Sequence, residues 1–195
     1  MAVALPRTRA TVALLAGFAV FTVATVYLVA TSLGARSAPE YDPTPVGRAR
    51  QALAVGDVDT LTIDARDEHA WAFVILAGGA VLSAPDTVGW DLAVRRHHII
   101  TTGAIADLGV AAFDSVAQAP RAGYVATRVG RDTSNAAINH WYAYGAVSHL
   151  LKPNGHLYVL QTRDGRHFKM EVLSYYCRGL EGGCLTIRFA PMALP

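Results

Sequence analysis

Histidine is the residue type in this sequence best suited to chemistry, because a neutral imidazole can bind a metal ion or a haem iron. The 195-residue chain contains seven histidines. His98, His140 and His149 are candidate ligands by their chemistry and their approximate region of the sequence. A packed or surface imidazole with ordinary hydrogen bonds is the alternative interpretation for each of them.

Strand periodicity separates the adjacent pair His97 and His98. In the predicted strand 88–102, period-two alternation places His98 on a largely apolar face and His97 on the polar face. Neighbouring side chains of one straight strand point to opposite sides, so the sequence predicts that the two do not clamp one ion. In the predicted strand 141–151, His149 shares a face with Ala143 and Gly145, which leave room for a planar ligand or for a neighbouring strand.

The sequence lacks the signatures of several known enzyme classes. It contains no G-x-S-x-G elbow, no H-E-x-x-H motif, no phosphate-binding glycine loop and no recognisable Cys–His nucleophile pair. We therefore predict a protein that is not an enzyme. Tyrosines 142, 144, 158, 175 and 176 are interpreted as packing pairs of the strands, with an aromatic ligand cleft or protein interface as the alternative.

The only cysteines, Cys177 and Cys184, flank a six-residue segment between two predicted strands. In an oxidising compartment, two cysteines that face each other across a hairpin fit disulfide geometry. Zinc would need two further ligands, and this spacing carries no zinc signature. We predict a structural disulfide.

An uncharged stretch at residues 11–33 follows Arg7 and Arg9. As a helix with about 1.5 Å rise per residue it would cover roughly the 30 Å core of a bilayer. A cleaved signal peptide is the competing interpretation, although its apolar region is normally shorter. The preceding arginines predict a cytoplasmic N-terminus at 1–10 and a single pass through a membrane, with the following domain outside the cytoplasm.

The remainder of the chain divides into a linker at 34–56, rich in proline over 37–50, and one domain at 57–195. The chain has 17 Lys and Arg against 15 Asp and Glu, so without Arg7 and Arg9 the exported part is neutral. This charge gives no basic surface for nucleic acid. Residues 117–139 lack periodicity and predict a long loop.

Short alternating segments separated by turn residues predict an all-β domain of eight strands. An Asp-Gly turn at 163–166 and a Pro-Asn-Gly turn at 153–155 indicate four consecutive antiparallel strands between 141 and 189. The predicted strands are 57–65, 70–76, 88–102, 108–116, 141–151, 157–162, 168–176 and 184–189.

Five blocks taken in series resemble the HmuY-like family of bacterial haem-binding proteins, over about residues 57–190. They are GWDLAVRRHHIITTG at 89–103, W-Y-x-Y at 141–144, LYVL-x-T-x-DG-x-HFKM at 157–170, SYY at 174–176 and GCLTIRF at 183–189. The resemblance implies an all-β domain that holds haem between axial side chains and passes it to an uptake receptor. Familiar members are lipid-anchored or released, whereas this chain is predicted to have a helical anchor and has no lipobox cysteine. Together with the resemblance, this predicts a tether at a bacterial inner membrane with the domain in the periplasm.

Two functions follow as expectations. The first is non-enzymatic binding of haem or a related tetrapyrrole, with His98 and His149 as axial imidazoles and low-spin iron. The second is an accessory subunit of an integral membrane complex, whose β-domain docks on the extracytoplasmic face. Small residues along the apolar stretch favour close helix packing in the lipid bilayer, namely Ala13, Ala16, Gly17, Ala19, Ala24 and Ala30.

Overall fold

The computed structural model describes residues 7–35, 37–47, 52–82 and 89–193. The chain divides into two compact units. One comprises Met1–Ser37 with Gly145–Leu150, and the other comprises Ala38–Tyr144 with Leu151–Pro195.

The first unit contains one long helix, α1 (Arg7–Ala35). Its segment Thr8–Ser32 is apolar over 25 residues, which corresponds to about 37 Å of helix and is enough to cross a bilayer. The hydroxyls of Thr22 and Thr25 donate to the carbonyls four residues earlier, at 2.9 and 2.8 Å, so these polar groups are satisfied within the helix. The predicted apolar helix is confirmed, and it fits a membrane anchor or a signal peptide.

Among the described residues the rest of the regular structure is almost entirely β. The strands are β1 (Asp59–Asp64), β2 (Ala72–Ile75), β3 (Ala80–Leu82), β4 (Leu92–Arg95), β5 (His98–Thr101), β6 (Ala104–Val110), β7 (Val125–Ala126), β8 (Tyr142–Tyr144), β9 (Leu151–Pro153), β10 (His156–Gln161), β11 (His167–Tyr176) and β12 (Gly182–Met192). Two single 3-10 turns, Phe113–Ser115 and Arg178–Leu180, interrupt them. The predicted all-β fold is confirmed.

The strands form three sheets. The main sheet has six strands in the order β1-β12-β11-β10-β6-β7, the second has the order β3-β2-β4-β5, and β8 pairs with β9. All of these named strand pairs are antiparallel. Strands β11 and β12 are buried along most of their length, as expected for apolar strands at the centre of a sheet.

The core draws on both larger sheets. Phe168, Phe189 and Leu61 of the main sheet and Leu92 of the second sheet are at most 2% exposed. Each such side chain contributes about 1.5–3 kcal/mol by its removal from water. The hydroxyls of Thr62 and Thr186 are also buried, and they satisfy each other across β1 and β12 at 3.0 Å.

The predicted strand 88–102 is wrong, because it is a hairpin. Strand β4 ends at Arg95 and β5 begins at His98, with Arg96 and His97 as the turn. Arg96 has a φ of 51°, which costs a non-glycine residue about 1 kcal/mol. Its amide donates to the Ala65 carbonyl at 2.9 Å, and this contact from outside the hairpin helps to hold the turn.

The predicted strand 141–151 is wrong as well. It consists of β8, a turn over Gly145–Leu150 and β9. The turn is closed by hydrogen bonds from Gly145 N to Leu150 O at 2.8 Å and from His149 N to Gly145 O at 2.7 Å. The predicted four-strand meander therefore has three strands, β10 to β12, and β10 is flanked on its other side by β6.

The predicted turn at 163–166 is confirmed. The amide of Gly165 donates to Thr162 O at 3.0 Å, and the amide of Thr162 donates to Arg166 O at 2.8 Å. Only the glycine has a positive φ, of 83°, so the turn is not the two-residue type that requires it at both positions.

The predicted disulfide is confirmed. Cys177 follows β11, Cys184 lies in β12, and the two Cα atoms are 5.0 Å apart. The bond closes a short loop, and the entropy removed from the unfolded chain corresponds to about 2–3 kcal/mol.

Residues 39–47, which fall in the predicted linker, are hydrogen-bonded to the β-domain. The amide of Tyr41 donates to Tyr176 O at 3.1 Å, and that of Gly47 donates to Val81 O at 2.9 Å. Between them, Thr44 N donates to Thr62 O at 2.8 Å and Thr62 N donates to the Thr44 hydroxyl at 3.0 Å. Thr62 lies on the outermost strand, β1, so this segment covers part of a sheet edge that would otherwise expose unpaired backbone groups.

Candidate functional site

The tip of the β4–β5 hairpin brings two imidazoles together. The ring centres of His97 and His98 are 4.2 Å apart, and the ring planes are inclined at 34°. The prediction that they point to opposite faces is wrong, because His97 is in the turn and His98 begins the returning strand. Four polar residues at 95–98 between two apolar runs were the signal for this turn.

Both imidazoles are partly exposed, and within the described ranges neither accepts nor donates a hydrogen bond. Burial lowers the pKa of His97, and the nearby His98 and Arg96 side chains lower it further. Burial and the Arg95 guanidinium lower the pKa of His98. The lowered pKa values favour the neutral form of both rings, which is the form that binds metals.

Aromatic side chains extend from this pair into the core. The ring of Tyr142 meets His97 edge-on with centres 5.5 Å apart, and Trp141 contacts Tyr142 at 4.9 Å. Trp141 is fully buried, and its indole Nε1–H donates to the His97 carbonyl at 2.8 Å. The contacts continue through Tyr175 to Tyr176 at 5.9 and 5.6 Å. The turn is thus supported by rigid core residues.

The five tyrosines selected from the sequence divide by burial. Tyr158, Tyr175 and Tyr176 are at most 4% exposed and act as packing residues, as predicted. Burial raises the pKa of Tyr158 to about 12. Tyr142 is half-buried and Tyr144 is 59% exposed, so these two are the ones available to a ligand.

Positive charge surrounds the tip. The Arg95 guanidinium lies over the Trp71 ring, 4.6 Å from its centre. Arg96 Nη1 donates to the carbonyl oxygens of Arg66 and Gly182, at 3.2 and 3.4 Å. The histidine pair therefore lies beside two fixed cations, which favours an anionic ligand.

The three predicted ligands have different local surroundings. The ring of His98 lies beside that of His97, which was not among the predicted ligands. His140 is exposed, and its carbonyl accepts a hydrogen bond from Asn154 Nδ2 at 2.8 Å. His149 lies in the Gly145–Leu150 turn with a φ of 57°, so it is not on a strand face with Ala143 as predicted.

A second cleft is lined by Trp90, Asp91, Arg163, Asp164 and Arg166, among others. Asp91 is buried, which raises its pKa, and its Oδ2 accepts the Leu76 amide at 2.9 Å. Asp164 is bonded to Arg166 at 2.8 Å. Asp91, Asp164 and Arg166 in this cleft therefore already bond within the protein.

Comparison with known proteins shows the fold. No protein-family model and no curated protein matches the sequence. A Bacteroides vulgatus protein described as an HmuY-like haem-binding protein matches with a TM-score of 0.59 and 18% identity, over 72% of this chain and 97% of that one. A Bacteroides fragilis protein described as a lipoprotein matches with a TM-score of 0.61 and 16% identity, over 74% and 97%.

The apo form of an HmuY analogue from Tannerella forsythia is similar to the same extent. Its TM-score is 0.61 at 14% identity, over 71% of this chain and 98% of that one. At these identities the comparisons establish the fold alone. The β-domain has the HmuY-like fold, as the sequence blocks predicted.

Proposed function

We propose that this chain is a membrane-anchored, non-enzymatic binding protein for haem or a related tetrapyrrole, with its β-domain in the periplasm of a bacterium. The observation that carries the proposal is the partly exposed imidazole of His98 at the hairpin tip, where it lies beside the His97 ring. The HmuY-like fold supports it, because a similar structure is described as that of a haem-binding protein.

The surroundings of the pair suit a haem. Imidazole is a standard axial ligand of haem iron, and bound haem supplies an iron with two axial positions. The half-buried Tyr142 ring beside His97 offers apolar surface to a porphyrin edge. Arg95 and Arg96 would attract the two negatively charged propionates of the ligand.

The ring geometry limits which imidazoles can act as the two axial ligands. With metal–nitrogen bonds of about 2.0 Å, two rings on opposite sides of an iron have centres roughly 6 Å apart. His97 and His98 are 4.2 Å apart, so they cannot both be axial ligands in this arrangement. We therefore propose His98 as one axial ligand, and the role of His140 or His149 as the second ligand stays a prediction from the sequence.

A visible-absorption titration tests the proposal. The full-length chain, oxidised and reconstituted in lipid nanodiscs, is titrated with ferric haem against empty nanodiscs. We expect a saturable one-to-one Soret shift with low-spin bands. The change His98→Ala should weaken binding at least tenfold, because a ligand bond is lost.

His140→Ala and His149→Ala identify the second ligand, and the matched control is His69→Ala, at an exposed turn position. A response that stays linear and equal to that of empty nanodiscs would contradict haem binding. Unchanged affinity in His98→Ala would remove that residue from the site.

The helix supports a second candidate function, an accessory subunit of a membrane complex. The apolar segment Thr8–Ser32 has no part buried within this chain. Its small residues would allow a partner helix to approach closely. In mild detergent at native abundance, this function predicts co-purification with an integral membrane protein, whereas a monodisperse lone chain would contradict it.

A further inference from the structure

The separation of the His97 and His98 rings fits two ligands at right angles on one metal ion, and not two ligands on opposite sides of a haem iron. At a metal–nitrogen distance of about 2.0 Å, the centre of an imidazole lies roughly 3.1 Å from the metal, so two ligands at right angles have ring centres about 4.4 Å apart. The observed separation is 4.2 Å. The two rings are thus spaced as adjacent ligands of one ion.

We propose that His97 and His98 together chelate one divalent first-row transition-metal ion, with Cu(II) as the best match, as adjacent ligands whose remaining positions are filled by water. Imidazole suits copper, nickel and zinc, and the tetragonal geometry of Cu(II) places neighbouring ligands at right angles. The described residues contain no group of three or more His, Cys, Asp or Glu side chains, so two protein ligands are the set available here.

The backbone holds the pair before any ion arrives. Strand register pairs Arg95 with His98 at the base of the turn. The carbonyl of His97 is fixed by the buried Trp141 indole, and the Tyr142 ring packs against the His97 imidazole. Only the side-chain torsions of the two histidines need to adjust, so little conformational entropy is lost on binding.

The positive charges of the two neighbouring arginines oppose the binding of a dication and so lower the affinity of the pair for it. Both guanidinium groups are engaged elsewhere, Arg95 on Trp71 and Arg96 on two carbonyls, and this leaves the imidazoles accessible.

This inference does not rest on haem binding, and the two are tested separately. The full-length oxidised chain in detergent is titrated with Cu(II) alone in a buffer that does not bind copper. Binding is followed by calorimetry, and the number of imidazoles on the ion is counted by pulsed electron paramagnetic resonance. We expect one Cu(II) with two equatorial imidazoles.

The variants His97→Ala and His98→Ala should each lose at least tenfold in affinity and show a single imidazole. His69→Ala is the matched control and should bind as the unmodified chain does. Far-UV circular dichroism verifies that the variants are folded. A single-imidazole signal in the unmodified chain would overturn the inference, as would unchanged affinity in the double variant His97→Ala/His98→Ala.

Discussion

The central strands of the main sheet and the tip of the β4–β5 hairpin differ in what their side chains contact. In β11 and β12, Phe168, Met170 and Phe189 are buried, and a disulfide joins the end of one strand to the other. At the tip, His97 and His98 are partly exposed, with ring nitrogens that no described residue engages. If the tip binds a ligand as proposed, stability and binding reside in separate regions, and binding groups can change on such a scaffold without loss of the fold.

The largest expected effect on stability comes from a substitution that leaves a cavity in the main sheet. Phe189 is 0% exposed on β12, between Asp59 of β1 and Met170 of β11. We expect Phe189→Ala to lower the free energy of unfolding by about 3–5 kcal/mol, because apolar contacts are lost and a cavity remains. Urea unfolding followed by tryptophan fluorescence measures this loss.

Val110→Ala is the control for that substitution, since Val110 is 79% exposed at the end of β6. It should change the free energy of unfolding by less than about 0.5 kcal/mol. Equal effects of the two substitutions would mean that the main sheet does not dominate stability.

An intermediate effect is expected for the disulfide. The double change Cys177→Ser/Cys184→Ser should lower the free energy of unfolding by about 2–3 kcal/mol, since the unfolded chain regains loop entropy. Copper affinity measured under native conditions should stay within about twofold, because the bond lies outside the β4–β5 hairpin. If copper affinity falls with stability, the two regions are coupled and the separation is wrong.

Local patterns predicted most of the main sheet. The alternation around Leu61 and Ile63, the apolar run that includes Leu160, and the Asp164-Gly165 turn each agree with the structure within a few residues. In these segments propensity, burial and turn chemistry indicate the same structure, which is why a single sequence sufficed. The disulfide was predictable for the same reason, as its cysteines flank a short connection between two strong strands.

The turn of the candidate site was missed because it contains no Gly, Pro, Asn or Asp, and its signal was the polar run at 95–98. Arg96 takes a positive φ that sequence rules reserve for Gly, Asn or Asp, and the contact from its amide to Ala65 comes from outside the hairpin. Period-two alternation therefore predicted one continuous strand through the turn, with His97 and His98 on opposite faces. The same error occurred at Gly145–Leu150, where His149 also has a positive φ. The Arg96 turn is held by a tertiary contact, which one sequence does not show, whereas the hydrogen bonds of the Gly145–Leu150 turn are local.

The smallest expected effect concerns the protonation of the His97 and His98 imidazoles at the hairpin tip. The pKa values of His97 and His98 are lowered in the folded protein from the ordinary value of 6.5. As the pH falls through about 6.5, the unfolded chain therefore binds protons at these two residues before the folded chain does. The free energy of unfolding has its full value above about pH 6.5 and falls as the pH drops below that. The urea concentration at the unfolding midpoint should fall more between pH 7.5 and pH 5.5 in the unmodified protein than in His97→Ala/His98→Ala. The exposed control His69→Ala should show the same fall as the unmodified protein. An equal fall in all three proteins would show that the tip imidazoles are solvated like those of the unfolded chain.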